Sequence, residues 1–344
     1  MEQLNLIIDT YQRIILESES KLAKVKQRIY RIGTLRLILF AAGIAGIIYF
    51  WDEGRLVIGG IAAITFIPFI LLVKLHNRLF HQKDYLEKKI EINRQELQAL
   101  TYDTSAFDNG EEFINPSHLY TYDLDVFGEH SLFQYINRTA TQPGKKRLAE
   151  WMNMHLKSKA EIEKRQEAVR ELAPELEMRQ HFRVLGLLHK GKTADEEEIR
   201  NWASSPEYYR KKWYFRTLAI LIPPANAVCI GLAIAEIISF TTWGIVFASI
   251  GLFSSSFSKG ISRMQSVYGK KMLILTTYAR LIHIIEEKKM RCIALKEIKE
   301  LVGGEKQTAS QAVKRLTELM NALDQRNNML MQFARKERAR RHKR

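Results

Sequence analysis

Leu37-Ile-Leu-Phe-Ala-Ala-Gly-Ile-Ala-Gly-Ile-Ile-Tyr-Phe-Trp51, followed after Asp52-Glu53-Gly54-Arg55 by Leu56-Val-Ile-Gly-Gly-Ile-Ala-Ala-Ile-Thr-Phe-Ile-Pro-Phe-Ile-Leu-Leu-Val73, decides the fold class. Neither arm carries a charge, and both are apolar all round, whereas a helix on the surface of a soluble protein keeps one polar face. Roughly 20 apolar residues rising 1.5 Å each cross a hydrocarbon layer of about 30 Å, and the flanking Thr34, Leu35 and Arg36 can snorkel to its edge. The stretch predicts a transmembrane hairpin over residues 34–74, with Asp52 to Arg55 as its turn.

A second island, Thr217 to Phe257, carries Glu236 as its only charge and predicts another hairpin over residues 211–258. Pro223-Pro224 and Asn226 interrupt its entry, and Ser239, Thr241, Thr242 and Ser254 to Ser256 dilute its exit. Small residues four apart, Ala42 and Gly46, Gly59 and Ala63, Gly231 and Ala235, would allow close helix approach.

The chain has 53 Lys and Arg against 38 Asp and Glu, a net charge of +15, and much of that excess flanks the islands. Lys21, Lys24, Lys26, Arg28, Arg31 and Arg36 precede the first, and Lys74, Arg78, Lys83, Lys88 and Lys89 follow it, while its turn holds only Arg55. Arg210, Lys211, Lys212 and Arg216 precede the second, and Lys259, Arg263, Lys270 and Lys271 follow it. The positive-inside rule then places both termini and the segment between the hairpins in the cytoplasm, in a multi-pass protein of the inner membrane. A signal peptide is not expected, because the first 30 residues are charged and amphipathic. Two cysteines cannot form a zinc site or a disulfide framework, and both Cys229 and Cys292 are expected as free thiols.

The remaining pieces read as helices and connections, with no strand pattern, so the expected class is all-α: a helical membrane protein. Residues 1–33 place Leu4, Ile7, Ile8, Tyr11, Ile14 and Ile15 on one stripe, which Leu22, Val25, Ile29 and Ile32 extend. Residues 75–122 hold a second stripe, Leu86, Ile90, Leu97 and Leu100, which would either pair with the first as an antiparallel coil or pack on a neighbouring domain. An acidic linker follows from Thr101 to Tyr122, broken at Asn109-Gly110 and Asn115-Pro116.

Residues 123–210 form short helices: Ser131 to Asn137, one opened by Pro143-Gly144 with Leu148, Trp151, Met152 and Leu156 on its face, and one capped by Ser158 and Glu161 with Ile162, Val169 and Leu172 inward. Glu175 to Leu188 is the next, and Thr193 with Glu196 caps another. Residues 259–334 hold long helices, including an apolar stripe of Ala312, Leu316, Leu319, Leu323 and Leu330. Residues 335–344 are a basic tail with seven Lys or Arg, able to bind phosphate or anionic lipid.

Gly186-Leu-Leu-His-Lys-Gly191-Lys192-Thr193 fits the phosphate-loop pattern, but its context does not. Such a loop needs a strand before it and bare helix-terminal amides after it. Here a helix is expected before it, and Asp195, Glu196, Glu197 and Glu198 would occupy the helix dipole after it. Thr193 as a helix cap is the expected reading. No catalytic constellation is found elsewhere: the histidines are scattered, and no Gly-x-Ser-x-Gly elbow occurs.

Phe127-Gly-Glu-His-Ser131-Leu-Phe-Gln-Tyr-Ile-Asn137-Arg138-Thr139-Ala-Thr-Gln-Pro-Gly144-Lys145-Lys146-Arg147-Leu-Ala-Glu-Trp151-Met152 resembles the start of the core, or lever, domain of MutS-family mismatch-repair proteins. The spacing of Ile162, Arg165, Ala168, Val169 and Leu172 is similar to the helix that follows in that family. The resemblance implies a structural motif of Asn137, Arg138, Thr139, Gly144, Arg147 and Trp151. Asn137 and Thr139 would satisfy backbone groups at a helix corner, Gly144 would allow a close turn, and Leu148 and Trp151 would be buried. Arg138 would clamp the corner or contact phosphate. With Lys145, Lys146, Arg335, Lys336, Arg338, Arg340 and Arg341, it makes the candidate nucleic-acid set.

In the family the core is split by a long arm that reaches around DNA, and the second hairpin occupies the matching insertion, as in a membrane-anchored branch. Phe127-Gly128-Glu129 resembles the family's mismatch-reading Phe-x-Glu triplet but lies at the lever entrance, where coincidence is the better account. The family's ATPase domain would follow Leu323 to Met331, so the chain is expected to be non-enzymatic, without ATP, magnesium or other cofactor of its own.

The implied function is ATP-dependent DNA binding and mismatch repair, with double-stranded DNA, the membrane, and a homodimer or separate ATPase chain as partners. The alternative is a membrane scaffold that binds proteins, including its own copies, through helical stripes such as Leu316, Leu319 and Leu323. A phosphate-loop NTPase through Lys192 is the third reading.

Overall fold

The computed structural model describes residues 2–52, 54–188, 213–234 and 237–302, together with 310, 311, 315 and 318. The described elements are helical apart from turns, so the chain is all-α: α1 (Glu2–Tyr49), α2 (Arg55–Ala99), a 3-10 turn (Glu111–Phe113), α3 (Leu132–Ile136), α4 (Gln142–Asn153), α5 (Lys159–Leu172), α6 (Leu176–Leu188), α7 (Trp213–Ile234), α8 (Phe240–Glu287) and α9 (Ile293–Val302). They divide into two units, residues 1–190 with 280–309, and residues 191–279 with 310–344.

In the first unit, α1 and α2 form an antiparallel hairpin. Lys26 pairs with Glu87 at 2.9 Å, Arg94 with Glu19 at 2.6 Å, and the Phe40 and Phe69 rings lie 6.2 Å apart. The expected coil between the N-terminal stripe and residues 84–100 is therefore present, and it continues through the apolar arms as one helix pair.

Its seam differs in detail from the expected stripe. Ile15, Ser18 and Val25 are buried, but Leu4 and Ile7 are exposed. On α2 the buried residues are Leu79, Ile90, Ile92, Asn93 and Ala99, because this helix is covered on a second side by α6. Among the small residues, Gly43 and Gly46 mark the close approach: a Cβ at Gly43 would stand 3.1 Å from Thr65, and one at Gly46 3.2 Å from Ile61. Gly59 has open space around it, so the predicted role of that position is not observed.

Two helices among the described residues, Glu2–Tyr49 and Gly59–Ala99, are long and apolar enough by length and composition to cross a membrane. Only 6% and 0% of their most apolar windows are buried, so a protein core does not account for their apolar character. In the second unit the corresponding described stretch is shorter, Thr241–Ile250. There α7 runs without a break through Pro223 and Pro224, and the Trp243 indole N–H donates to Asn226 Oδ1 at 3.0 Å, giving that polar residue of an apolar helix a partner. Glu236, Thr193 with Glu196, the Lys192 loop and residues 319–344 lie outside the described residues.

The segment 101–131, expected as a linker in its first part, is a packed strap. Thr104, Phe107 and Thr121 are buried, and Phe113 stacks into a core of Val126, Phe127, Phe133 and Ala149 with Leu148 and Met152 at its edge. Gly110 is required there. Its φ is +69°, and a Cβ would stand 2.6 Å from the Phe133 ring. Tyr120 closes the far end by donating its hydroxyl to the last carbonyls of α4, Met152 at 2.7 Å and Asn153 at 2.8 Å. Phe127 is a core residue, 6% exposed.

The chain returns to the first unit at residue 280. The Glu171 carboxylate on α5 accepts the backbone N–H groups of Arg291 at 2.8 Å and Cys292 at 2.7 Å, capping α9 from outside. Lys164 with Glu297 at 2.7 Å and Lys288 with Glu175 at 2.6 Å complete the seam between α5, α9 and the end of α8.

Candidate functional site at the helix corner

Two short helices meet at Asn137 to Thr141 because each has its own start signal. The Ser131 hydroxyl accepts from Gln134 N at 3.2 Å to cap α3, and the Thr141 hydroxyl accepts from Gly144 N at 3.2 Å to cap α4. Pro143 then supplies a fixed φ in the first turn of α4.

Asn137, 5% exposed, holds the corner with both ends of its amide. Its Nδ2 donates to the Asp108 carbonyl at 3.0 Å, and its Oδ1 accepts from Thr139 N at 3.1 Å and Thr139 Oγ1 at 2.7 Å. Gln134 acts similarly one turn earlier, donating to the Phe107 carbonyl at 3.1 Å and accepting from Thr104 Oγ1 and His130 N. These two amides fasten the strap to the corner.

Arg138 is turned inward. Its Nε donates to Glu96 Oε1 on α2 at 2.7 Å, its Nη1 donates to the Tyr135 and Asn137 carbonyls, and its guanidinium lies 3.4 Å from the centroid of the Phe107 ring. Arg183 of α6 reaches the same Glu96 oxygen at 2.5 Å and donates to Gln95 Oε1 at 3.3 Å. The side chains of Glu96, Arg183 and Arg138 are 19%, 12% and 27% exposed, so water screens this triad poorly. Burial pulls the Arg183 guanidinium below its ordinary range, and Glu96 opposes that shift. Tyr11 of α1 lies close enough that burial, and after it the Glu96 charge, holds its phenol above 10.0 and keeps it protonated.

The other motif residues fall into distinct settings. Lys145 is 5% exposed and pairs with Asp108 at 2.6 Å and with Glu112. Burial alone would lower its ammonium, but the hydrogen bonds to Asp108 and Glu112 outweigh that and hold it above 10.5. Lys146 is exposed, and Arg147 is exposed and paired with Glu150 at 2.9 Å. Trp151 is 47% exposed rather than buried, with the Arg165 guanidinium 4.1 Å from its ring centroid. Ala149 takes the core position expected of it, because α4 turns its smallest side chain toward Phe133. Arg335, Lys336, Arg338, Arg340 and Arg341 lie outside the described residues.

Two further expectations change. Ser158 caps α5 without a side-chain hydrogen bond, and Ile162 and Val169 are exposed, since α5 turns Glu171 and Lys164 toward α9 instead. Gly186, the first glycine of the phosphate-loop pattern, sits inside α6. A Cβ there would stand 2.5 Å from the Ala140 side chain, so it serves the approach of α6 to the corner. Glu96, Arg183 and Tyr11 were not legible as site residues; nothing local marks them, and only the fold brings them to Arg138.

No group of His, Cys, Asp and Glu able to hold a metal ion occurs among the described residues. The corner is a packed, charge-locked joint. No curated protein and no solved structure matches the chain. The family model of MutS domain III matches residues 117–221, from within the strap, through the corner, and into α7. Residues 117–221 are therefore a MutS domain III region, the core or lever part, and they point to a relationship with the MutS family.

Proposed function

We propose that the protein is a membrane-anchored structural arm: the apolar ends of α1 and α2 insert in the bilayer, and their polar ends carry the domain III region as a fixed lever. The observation that carries this reading is the Glu96 triad. Glu96 lies on the same helix as the apolar stretch Leu56 to Val73, and it binds Arg138 of the corner and Arg183 of α6. A motion of the anchor helix is therefore delivered to the lever without a flexible joint. The role is non-enzymatic and consists of holding and orienting partners at the cytoplasmic membrane face, with α7 and α8 as a second hairpin inserted within the domain.

Membrane fractionation tests the anchor. The chain should stay with membranes through an alkaline carbonate wash and should leave them only in detergent. Release by carbonate would contradict the reading.

A second reading, DNA binding in a repair role at the membrane, is favoured by the seven Lys and Arg of residues 335–344. It predicts affinity for double-stranded DNA that falls steeply with salt and is lost when those residues are replaced by Gln. Lys145→Gln should leave the salt dependence unchanged, since Asp108 and Glu112 already occupy that cation. Affinity that is insensitive to salt would remove this reading. A separate ATPase chain, or a second copy of this one, is the partner such an assembly would require.

A further inference from the structure

Beside the Glu96 triad lies a half-open cavity of about 530 Å³, lined by α1 at Tyr11, α2, the corner, α5, α6, the end of α8 and α9, all within the first unit. Its walls are of two kinds. Leu172, Leu176, Phe182, Ile285, Met290 and Leu295 make an apolar chamber. At the other end stand Glu96, Arg138, Arg179, Arg183 and the Tyr11 phenol.

The charges at that end do not cancel. One carboxylate faces three guanidinium groups, and Arg138 and Arg183 share a single Glu96 oxygen. The Tyr11 phenol, held protonated by burial and the Glu96 charge, lines the same end of the cavity and supplies a neutral O–H there. Water can satisfy the polar end but gains little against the apolar chamber. Pockets of this size with few polar groups at one end are the usual form of a small-molecule site.

We propose that this cavity binds a small amphipathic anion, a carboxylate on an aliphatic body, with its head on the Arg138, Arg183 and Tyr11 donors and its body in the chamber. Guanidinium groups recognise carboxylates through paired N–H donors, which fixes the head, and the six apolar side chains select the body. The proposal is independent of the membrane reading. Its polar end is built from α2 at Glu96, more than 20 residues from Val73, or roughly 35 Å at 1.5 Å per residue.

The full chain in lipid nanodiscs, titrated with carboxyl-labelled decanoate and followed by carbon NMR, tests this. Empty nanodiscs supply the partition background. A saturable component with one ligand per chain and a shifted carboxyl resonance is expected, weakened at least about tenfold in Leu176→Trp, which fills the chamber and leaves every charge in place. Decanol and decylammonium should each bind at least about tenfold more weakly than decanoate, a comparison that needs no variant. The proposal is overturned if no component exceeds the empty nanodiscs, if decylammonium or decanol competes as well as decanoate, or if folded Leu176→Trp binds like the parent.

Discussion

Arg138 Nε and Glu96 Oε1 lie 2.7 Å apart although their residues are 42 positions apart in the chain. This contact joins the strongest sequence motif of the lever to the helix that carries the apolar stretch. Removing Glu96 leaves two guanidinium groups largely desolvated with no counter-charge. Glu96→Ala should therefore destabilise the first unit by about 2–3 kcal/mol, reduced from the fully buried case because Arg138 keeps partial contact with water. Denaturation in detergent measures it, and the effects of Glu96→Ala and Arg138→Gln should be strongly non-additive.

The α1 and α2 pair is closest at Gly43, where a Cβ would already meet three Thr65 atoms at 3.1 Å. Gly43→Leu should push the helices apart and cost about 1–3 kcal/mol. Gly59→Leu, with open space around it, should be near neutral. Equal losses at both positions would show that the observed seam is wrong.

His181 gives the α2 and α6 contact a pH dependence. Its Nδ1 lies 2.8 Å from the Tyr85 hydroxyl, and burial, followed by the Lys89 charge, holds its imidazole below the ordinary 6.5. The unfolded chain takes up this proton more readily than the folded one. The stabilisation is therefore present above 6.5 and is lost as the pH falls below it. Melting temperatures measured from pH 8 to pH 5 should show this loss, and His181→Gln should remove that part of the slope.

Glu171 caps α9 as a carboxylate. The N–H of Arg291, then that of Cys292, hold its carboxyl below the ordinary 4.5. This contribution is present above 4.5 and lost as the pH falls through the lowered value. Amide exchange at Arg291 and Cys292 should accelerate in that acid range, and Glu171→Gln should show fast exchange at neutral pH as well.

Local signals in the sequence carried far, and they stopped where contacts became distant. Ser131 and Pro143 marked the two helix starts at the corner, since such signals act within one turn, whereas the Thr141 cap emerged only in the structure. Asn137 and Thr139 were legible for the same reason. Trp151 was not, because which face of α4 is buried depends on Phe133 and Phe127, and Ala149 fits against them better than an indole. The strap was misread as a linker because its acidic residues look solvated until Lys145 and Asn137 are placed opposite them. Arg138 read first as a clamp of the corner and second as a phosphate ligand, but its partner Glu96 was not legible, because only the hairpin brings it in.

In the proposed topology the α1 and α2 turn crosses the bilayer while the strap and corner stay on the cationic side. Single cysteines at Asp52 and at Ser105, each in a chain with Cys229 and Cys292 replaced by Ser, can be probed on intact spheroplasts with a membrane-impermeant maleimide. Asp52→Cys should be labelled before lysis and Ser105→Cys only after it. Labelling of both before lysis, or of neither until lysis, would contradict it.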